Sequence, residues 1–452
     1  MEQQDNGYYW NTLPSVIMLE IFSYLEHKDR INASMVCKNW RQALFHPAFW
    51  KDITFVLDDT KNSLWSSYLG DCFGLSVQNA TVRCQIPHCS LELEKLLRNL
   101  CENRNLRRLF VEPSTSTFEW SFTCYDDMEA LETWTESLYL SIIKIIETSK
   151  RLEALTLGCV EELVLNAGEV LEMLGYYHGK HLTHLGLASV KEDPENYQFV
   201  ILNSITFQQF ISLTILTLDY DYLNDTMLGS LTSGTLERLV VHVHNWKENY
   251  TGTSDDAWEL FTQKNPRCEL RLNLLHAYTG VTVLERQILK RNMPLTHFKA
   301  LFCEYVNLGA LYTIASYYST SLKSLMWIDS ADNNELSLPP TDGNPDGLVM
   351  VAWRCVNLQE IVYIGHKYYH TNLLAIARLR GHTLRRFEFA ENDIKEEDTP
   401  HYKYKEVRSE INSILGGNWK TFSDSELMPV LIDAIAGDSR DVIMPLVLSD
   451  AK

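Results

Sequence analysis

The chain has 452 residues, with 40 lysines and arginines against 59 aspartates and glutamates, for a formal net charge of −19. That balance repels phosphate backbones and acidic lipid, so nucleic acid and membrane surfaces are poor candidates as main partners. Hydrophobic residues at 45% and charged residues at 22% are those of a packed protein. No apolar run has the length of a membrane span or the shape of a secretory leader. The ten cysteines are scattered with no Cys-x-x-Cys pair, which suits reduced thiols in the cytoplasm or nucleus.

The first fifty residues predict three short helices. Pro14 fits a first helical turn, where its missing N–H costs nothing. Leu13, Ile17, Ile21 and Leu25 recur every fourth residue, with Val16 and Phe22 widening the stripe. A charged turn, Glu26 to Arg30, leads into a second helix, and Ala33, Val36, Trp40 and Leu44 line a third. So small a unit cannot bury all of these on itself, so some must face another surface.

Leu13-Pro14, Ile21 with Tyr24-Leu25, Val36-Cys37-x-x-Trp40 and Phe49-Trp50 together resemble an F-box, with Arg30 standing where many F-boxes carry an apolar residue. F-boxes dock on the Skp-family subunit of cullin-RING ubiquitin ligases. The resemblance implies adaptor contacts from Leu13, Pro14, Ile17, Ile21, Leu25, Val36, Cys37 and Trp40. It also implies a non-catalytic receptor subunit that works by placing a protein substrate for ubiquitination. A non-degradative leucine-rich-repeat scaffold is the alternative.

Beyond the F-box the chain repeats Leu-x-x-Leu-x-Leu, starting at Leu106, Leu152, Leu182, Leu213, Leu236, Leu322, Leu358 and Leu384, with a weaker copy at Leu295 and an alternating strand at Leu270–Leu274. Apart from the step from Leu236 to Leu322, which holds the weaker copy and the alternating strand, clear copies start about 23 to 46 residues apart, the leucine-rich-repeat period with insertions. Intervening segments such as 308–318, 348–355 and 373–378 read as helices. The expected fold is therefore α/β: a small three-helix F-box, then a curved solenoid with parallel strands inside and helices outside. The expected domains are an N-terminal tail over 1–10, the F-box over 11–53, divergent repeats over 54–395, and a capping helix and tail over 396–452.

The asparagine usual at the strand turn is mostly missing, with Gly158, Ala188, Asp219 or Ala390 near that place. Insertions are expected at 113–132, 191–197, 246–256 and 330–344. Leu155 and Leu216 should be buried, whereas Thr156 and Thr217 should point onto the concave surface and tolerate alanine. In the later repeats that surface carries Met326, Ile328, Glu360, Val362, Ile364, Arg386 and Glu388. With Trp419 these are the expected substrate contacts, unless the C-terminal segment covers them as a lid.

Val407, Ile411, Ile414 and Leu415 share one helical face, and Gly416-Gly417 ends that helix. The close, helix–Gly-x-x-Trp419 and Met428-Pro429, resembles a branch that includes the circadian F-box/leucine-rich-repeat proteins. In those, the tail beyond this point enters a pocket of a cryptochrome substrate. Here it runs on to Lys452 and reads as a hydrophobic cap. No cofactor or metal is expected: His366 and His370 lack the glutamate of a zinc-protease helix and read as surface residues, and Cys84, Cys89 and His88 lack a fourth ligand.

Overall fold

In a computed structural model, residues 10–86, 88–117, 126–246, 250, 252–331, 345–396 and 403–452 are described. Of the expected insertions, 191–197 lies wholly within these residues. Parts of the other three (118–125, 247–249 with 251, and 332–344) lie outside them, as do residues 1–9.

The N-terminal unit is α1 (Ser15–Ser23), α2 (His27–Ser34) and α3 (Lys38–Leu44). Trp50 closes it: its indole N–H donates to Leu44 O at 2.7 Å, and its ring stacks at 4.9 Å on Phe73 of the next helix, Thr60–Phe73. The N-terminal unit is thereby packed onto the first repeat.

The strands are β1 (Asp52–Leu57), β2 (Asn79–Cys84), β3 (Arg108–Pro113), β4 (Ala154–Thr156), β5 (His184–Gly186), β6 (Ile215–Asp219) and β7 (Arg238–Val243). They continue as β8 (Glu269–Leu275), β9 (Leu295–Leu301), β10 (Ser324–Ile328), β11 (Glu360–Ile364), β12 (Tyr368–Tyr369), β13 (Arg386–Phe389) and β14 (Ile394–Lys395). Twelve of them form one sheet in strict chain order, every neighbouring pair parallel, while β12 and β14 pair separately. Parallel neighbours in sequence order require a crossover on the same side each time, and helices supply most of them.

Register explains the repeat. Leu109, Leu155, Leu185, Leu216 and Leu239 stand opposite one another from β3 to β7, all buried against the outer helices. Those helices turn matching faces inward, as with Leu93, Leu96, Leu97 and Leu100 of Ser90–Leu100. Leu216→Ala is expected to cost about 2–5 kcal/mol in chemical denaturation, and Glu237→Ala almost nothing, because Glu237 is exposed and only 3.9 Å from an exposed Arg267. Thr156 and Thr217 are not free surface positions: both are buried, and their hydroxyls accept from Val111 N–H at 3.3 Å and Ala188 N–H at 3.4 Å. Thr217→Ala should cost about 1 kcal/mol.

Aspartate does the work of the missing asparagine. Asp219 accepts from Ser189 N–H at 2.8 Å, Asp329 from Glu304 N–H at 3.0 Å and Asp393 from Gly365 N–H at 2.7 Å, each tying its strand turn to the preceding repeat. At the opposite turn, Asn103 and Asn265 donate to backbone carbonyls of the preceding repeat, and buried His178 joins Leu152 N–H to Ile146 O. Asn307 makes the same kind of bond to Val281 O from the strand-to-helix side, where it caps the helix Leu308–Tyr317.

The far edge is covered. The helix Tyr404–Leu415 buries Val407 and Ile411 and ends at Gly416 with φ +69°. Trp419 then stacks on Phe387 at 5.5 Å, and Phe422 bonds to Phe389 O and Glu391 N on either side of Ala390, leaving β13 no bare edge.

Candidate functional site

The helical unit at the N-terminus keeps a small core. Met18 and Phe22 of α1 point inward, and Phe22 meets Trp40 edge-on at 5.8 Å and Phe49 at 6.1 Å. The stripe expected from the sequence, Leu13, Ile17, Ile21 and Leu25, is therefore not the core face. Ile17 is exposed and the other three are half-buried. Arg30 does not weaken the unit: its Nε donates to Phe22 O at 2.8 Å and its guanidinium lies 4.8 Å over the Phe49 ring, filling with its stem the place of an apolar side chain.

What the core leaves out forms an apolar surface. Val16 is 72% exposed, Tyr24 79%, Met35 64% and Val36 71%, with Ile17 and Ile31 among them. Of the expected adaptor residues, Pro14, Ile17 and Val36 stand open. Cys37 and Trp40 are half-buried, and Trp40 Nε1 donates to Trp10 O at 2.9 Å. The contacts expected from the sequence did not include Val16, Tyr24, Ile31 and Met35, which are exposed here. The signal was present: apolar residues at positions where a unit of this size has no core left to fill.

The inner face of the sheet is a different surface from the one expected. Met326, Ile328, Val362 and Ile364 are all buried, at 5% exposure or less. They are covered here by the chain's own tail: Val442, Ile443, Met444 and Val447 of the helix Arg440–Asp450 join them in one buried apolar cluster. The approach segment adds Val430 and Leu431, held by Ser330 Oγ on Val430 O at 2.7 Å and Ala331 N–H on Leu431 O at 2.9 Å. The tail does act as a cover, but through Val430, Leu431 and the helix Arg440–Asp450 rather than through the expected segment around Trp419 and Leu427-Met428-Pro429, of which Leu427 packs at its margin and Trp419 stacks on Phe387. Glu360, Glu388, Arg386 and Trp419 are half-buried; Arg386 and Glu388 pair at 2.6 Å, and the Trp419 N–H is committed to Phe387 O at 2.7 Å.

Charge fixes the lid. Asp450 enters the sheet buried, 2.6 Å from Arg271 and 3.0 Å from Asn273 Nδ2, with Lys299 also on its carboxylate. Burial pushes this carboxyl up, but Lys299 and then Arg271 outweigh it and hold it below the usual range. Arg238 binds the carbonyls of Asp450 and Lys452. At the other end His276 Nε2 meets Ser439 Oγ at 2.8 Å, and Arg440 pairs with Glu192.

Neutral histidines line this face. Burial pulls His184, His242, His276 and His297 down to about 4. Folded pKa values below the unfolded one give stability that is full above about pH 6.5 and is lost as pH falls towards 4. Asp221, raised to about 6 by burial, and Asp393, also raised by burial, act with opposite sign, but two carboxyls do not offset four imidazoles. The melting temperature should therefore fall between pH 6.5 and 4.5, read by scanning calorimetry.

His366 and His370 are not surface residues. His366 Nε2 meets Asp329 Oδ2 at 2.8 Å, and His370 is buried near Lys395 O at 3.1 Å. Cys84 and Cys89 are packed in the outer core, and burial pushes the Cys84 thiol up to about 12. Among the described residues no cluster of three histidine, cysteine or acidic side chains could hold a metal ion, and no helix is long and apolar enough to cross a membrane.

Comparison with known proteins agrees with this geometry. The F-box-like family model matches residues 10–56. F-box only protein 33 of Homo sapiens is 24% identical across 93% of this chain and 85% of its own length, and the Mus musculus protein of that name is also 24% identical, across 93% and 84%. F-box/LRR-repeat protein 21 of Mus musculus is 23% identical across 93% of this chain and 90% of its own. An F-box-like unit of three helices, a solenoid of parallel strands in chain order and similarity along nearly the whole length give this chain an F-box-like domain followed by a leucine-rich-repeat-like solenoid, with homology to F-box only protein 33 and F-box/LRR-repeat protein 21.

Proposed function

We propose that the chain is the substrate-recognition subunit of an SCF-type cullin-RING ubiquitin ligase. The face of Val16, Ile17, Tyr24, Ile31, Met35 and Val36 seats on a Skp-family adaptor, and the solenoid holds the protein to be ubiquitinated. The observation that carries this reading is the exposure of those six apolar side chains on a unit of F-box sequence. Left in water they are a liability; against a partner they supply the desolvated centre of an interface. The subunit itself does no covalent chemistry. It raises the effective concentration of a substrate lysine beside the loaded conjugating enzyme. The Phe73–Trp50 stack and the Phe45–Phe73 contact at 6.3 Å link the adaptor face to the solenoid, which suits transmission of a fixed geometry. The test is reconstitution: the purified chain, adaptor, cullin and RING subunit should co-elute as one complex, and separate elution of the chain overturns the proposal.

A further inference from the structure

The tail closes the inner face over the later repeats and leaves the start of β3 to β6 open. Arg108 is exposed there, while Phe110, His184 and Ile215 are half-buried. Three guanidinium groups crowd one carboxylate at this rim: Glu153 has Arg151 at 2.9 Å, Arg107 at 3.7 Å and Arg108 at 4.0 Å. Their side chains remain 56%, 47% and 44% exposed. Toward the other end of β3, Glu112 is shared by Arg83 at 3.1 Å and Lys452 at 2.9 Å. Five cations thus surround two carboxylates on a protein whose net charge is −19.

One carboxylate has two oxygens, and a single arginine can engage both, so most of the fifteen or so donors that three guanidiniums carry are left over. Phe110 shares the face of β3 with Arg108, edge-on to His184 at 6.2 Å, and gives the patch an apolar neighbour. The same sheet already demonstrates the chemistry farther along, where Arg271 and Lys299 grip the carboxylate of Asp450 while the aliphatic residues of its helix pack alongside.

We propose that the strand-start rim of β3 to β5, with Arg107, Arg108 and Arg151 around Glu153 and Phe110 on the same face of β3 as Arg108, docks an acidic segment of a partner protein that carries carboxylates next to apolar side chains. Calling that partner a ubiquitination substrate rests on the receptor reading above; the docking itself does not. Carboxylate is the committed chemistry, because Glu153 and Asp450 are the anions this face already holds.

The experiment uses the full chain and three fluorescein-labelled peptides of equal length: alternating glutamate and leucine, the same with lysine for glutamate, and the same with phosphoserine for glutamate. The glutamate peptide should bind, and the lysine peptide should not. Affinity should fall at least about tenfold in Arg107→Gln/Arg108→Gln/Arg151→Gln and with added salt. Arg267→Gln/Arg286→Gln, on exposed arginines outside the rim, should leave it unchanged. Melting curves on each variant separate lost docking from lost fold; if the triple variant melts early, Arg108→Gln alone should still weaken binding. Equal binding of the glutamate and lysine peptides overturns the proposal, as does an unweakened, folded triple variant or binding of the phosphoserine peptide alone. Adaptor co-purification with the same variants reads the receptor proposal separately: its failure with peptide binding intact removes the word substrate and leaves the docking site.

Discussion

Asp450→Ala in the full chain is expected to cost about 3–5 kcal/mol of stability, the largest effect of any single side chain on the inner face. The carboxylate is buried between Arg271, at 2.6 Å, and Lys299, whose side chain is almost wholly enclosed. Removing the anion strands two cations in a site that water scarcely reaches. Arg271 would lose its one ion-pair partner within 4 Å among the described residues, and its Nε already lacks a hydrogen-bond partner there. Lys299 can shed its proton, which burial already favours, and that sets the lower end of the range. The helix Arg440–Asp450 should then lift, exposing Met444 and Val447 and the sheet residues beneath, and dye binding to apolar surface should rise with the loss measured by denaturant. A companion variant decides whether charge or shape is at issue. Arg271→Met/Lys299→Met/Asp450→Leu replaces the whole group with apolar side chains and should be neutral to stabilising by a few kcal/mol. If Asp450→Ala unfolds no earlier than the wild type, the tail is not held by this pair and the closed inner face is a secondary arrangement.

The tail is also where sequence and structure part most clearly, and the reason is physical. Period reveals which face of an element is apolar; it does not reveal what covers that face. Met326 and Val362 were legible as inner-face apolar residues from their place between the repeat leucines. Their cover was not legible: Val442, Ile443, Met444 and Val447 sit around Pro445, a poor residue for the interior of a helix, so the segment does not announce itself. Nor can a carboxylate 179 positions from its arginine be paired by inspection. The solenoid from Leu106 onward was legible because leucine recurs at fixed spacing. The first two strands were not, because Ile53, Phe55 and Leu57, then Ala80, Val82 and Cys84, keep the alternation of a strand without the leucines that mark the repeat. In the F-box the residue types were readable and the orientation was not. The stripe of every fourth residue was apolar on both sides of α1, and only packing shows that Met18 and Phe22 took the inside.

That orientation decides the most informative test of function, Ile17→Asp/Val36→Asp. Both side chains are exposed, so two carboxylates there should leave the melting temperature within a degree or two. Against an adaptor the same two groups would be buried uncompensated. Each substitution removes an apolar anchor and inserts a charge, for about 2 kcal/mol or more apiece, so adaptor affinity should drop by about three orders of magnitude. Leu13→Ala/Pro14→Ala, the pair that the motif alone suggests, is the weaker experiment. Leu13 packs against the core and its carbonyl accepts from Asn39 Nδ2 at 3.1 Å, while Pro14 opens α1, so lost binding there could be lost fold. Tyr24→Ala offers a graded control: its hydroxyl bonds Glu20 at 2.8 Å on the surface, and its removal should weaken binding without abolishing it. The measurement is co-purification of the Skp-family adaptor with each full-length variant, alongside circular dichroism of the free chain. Wild-type recovery of the adaptor by a folded Ile17→Asp/Val36→Asp variant would place the adaptor face elsewhere, and the receptor proposal would fall with it.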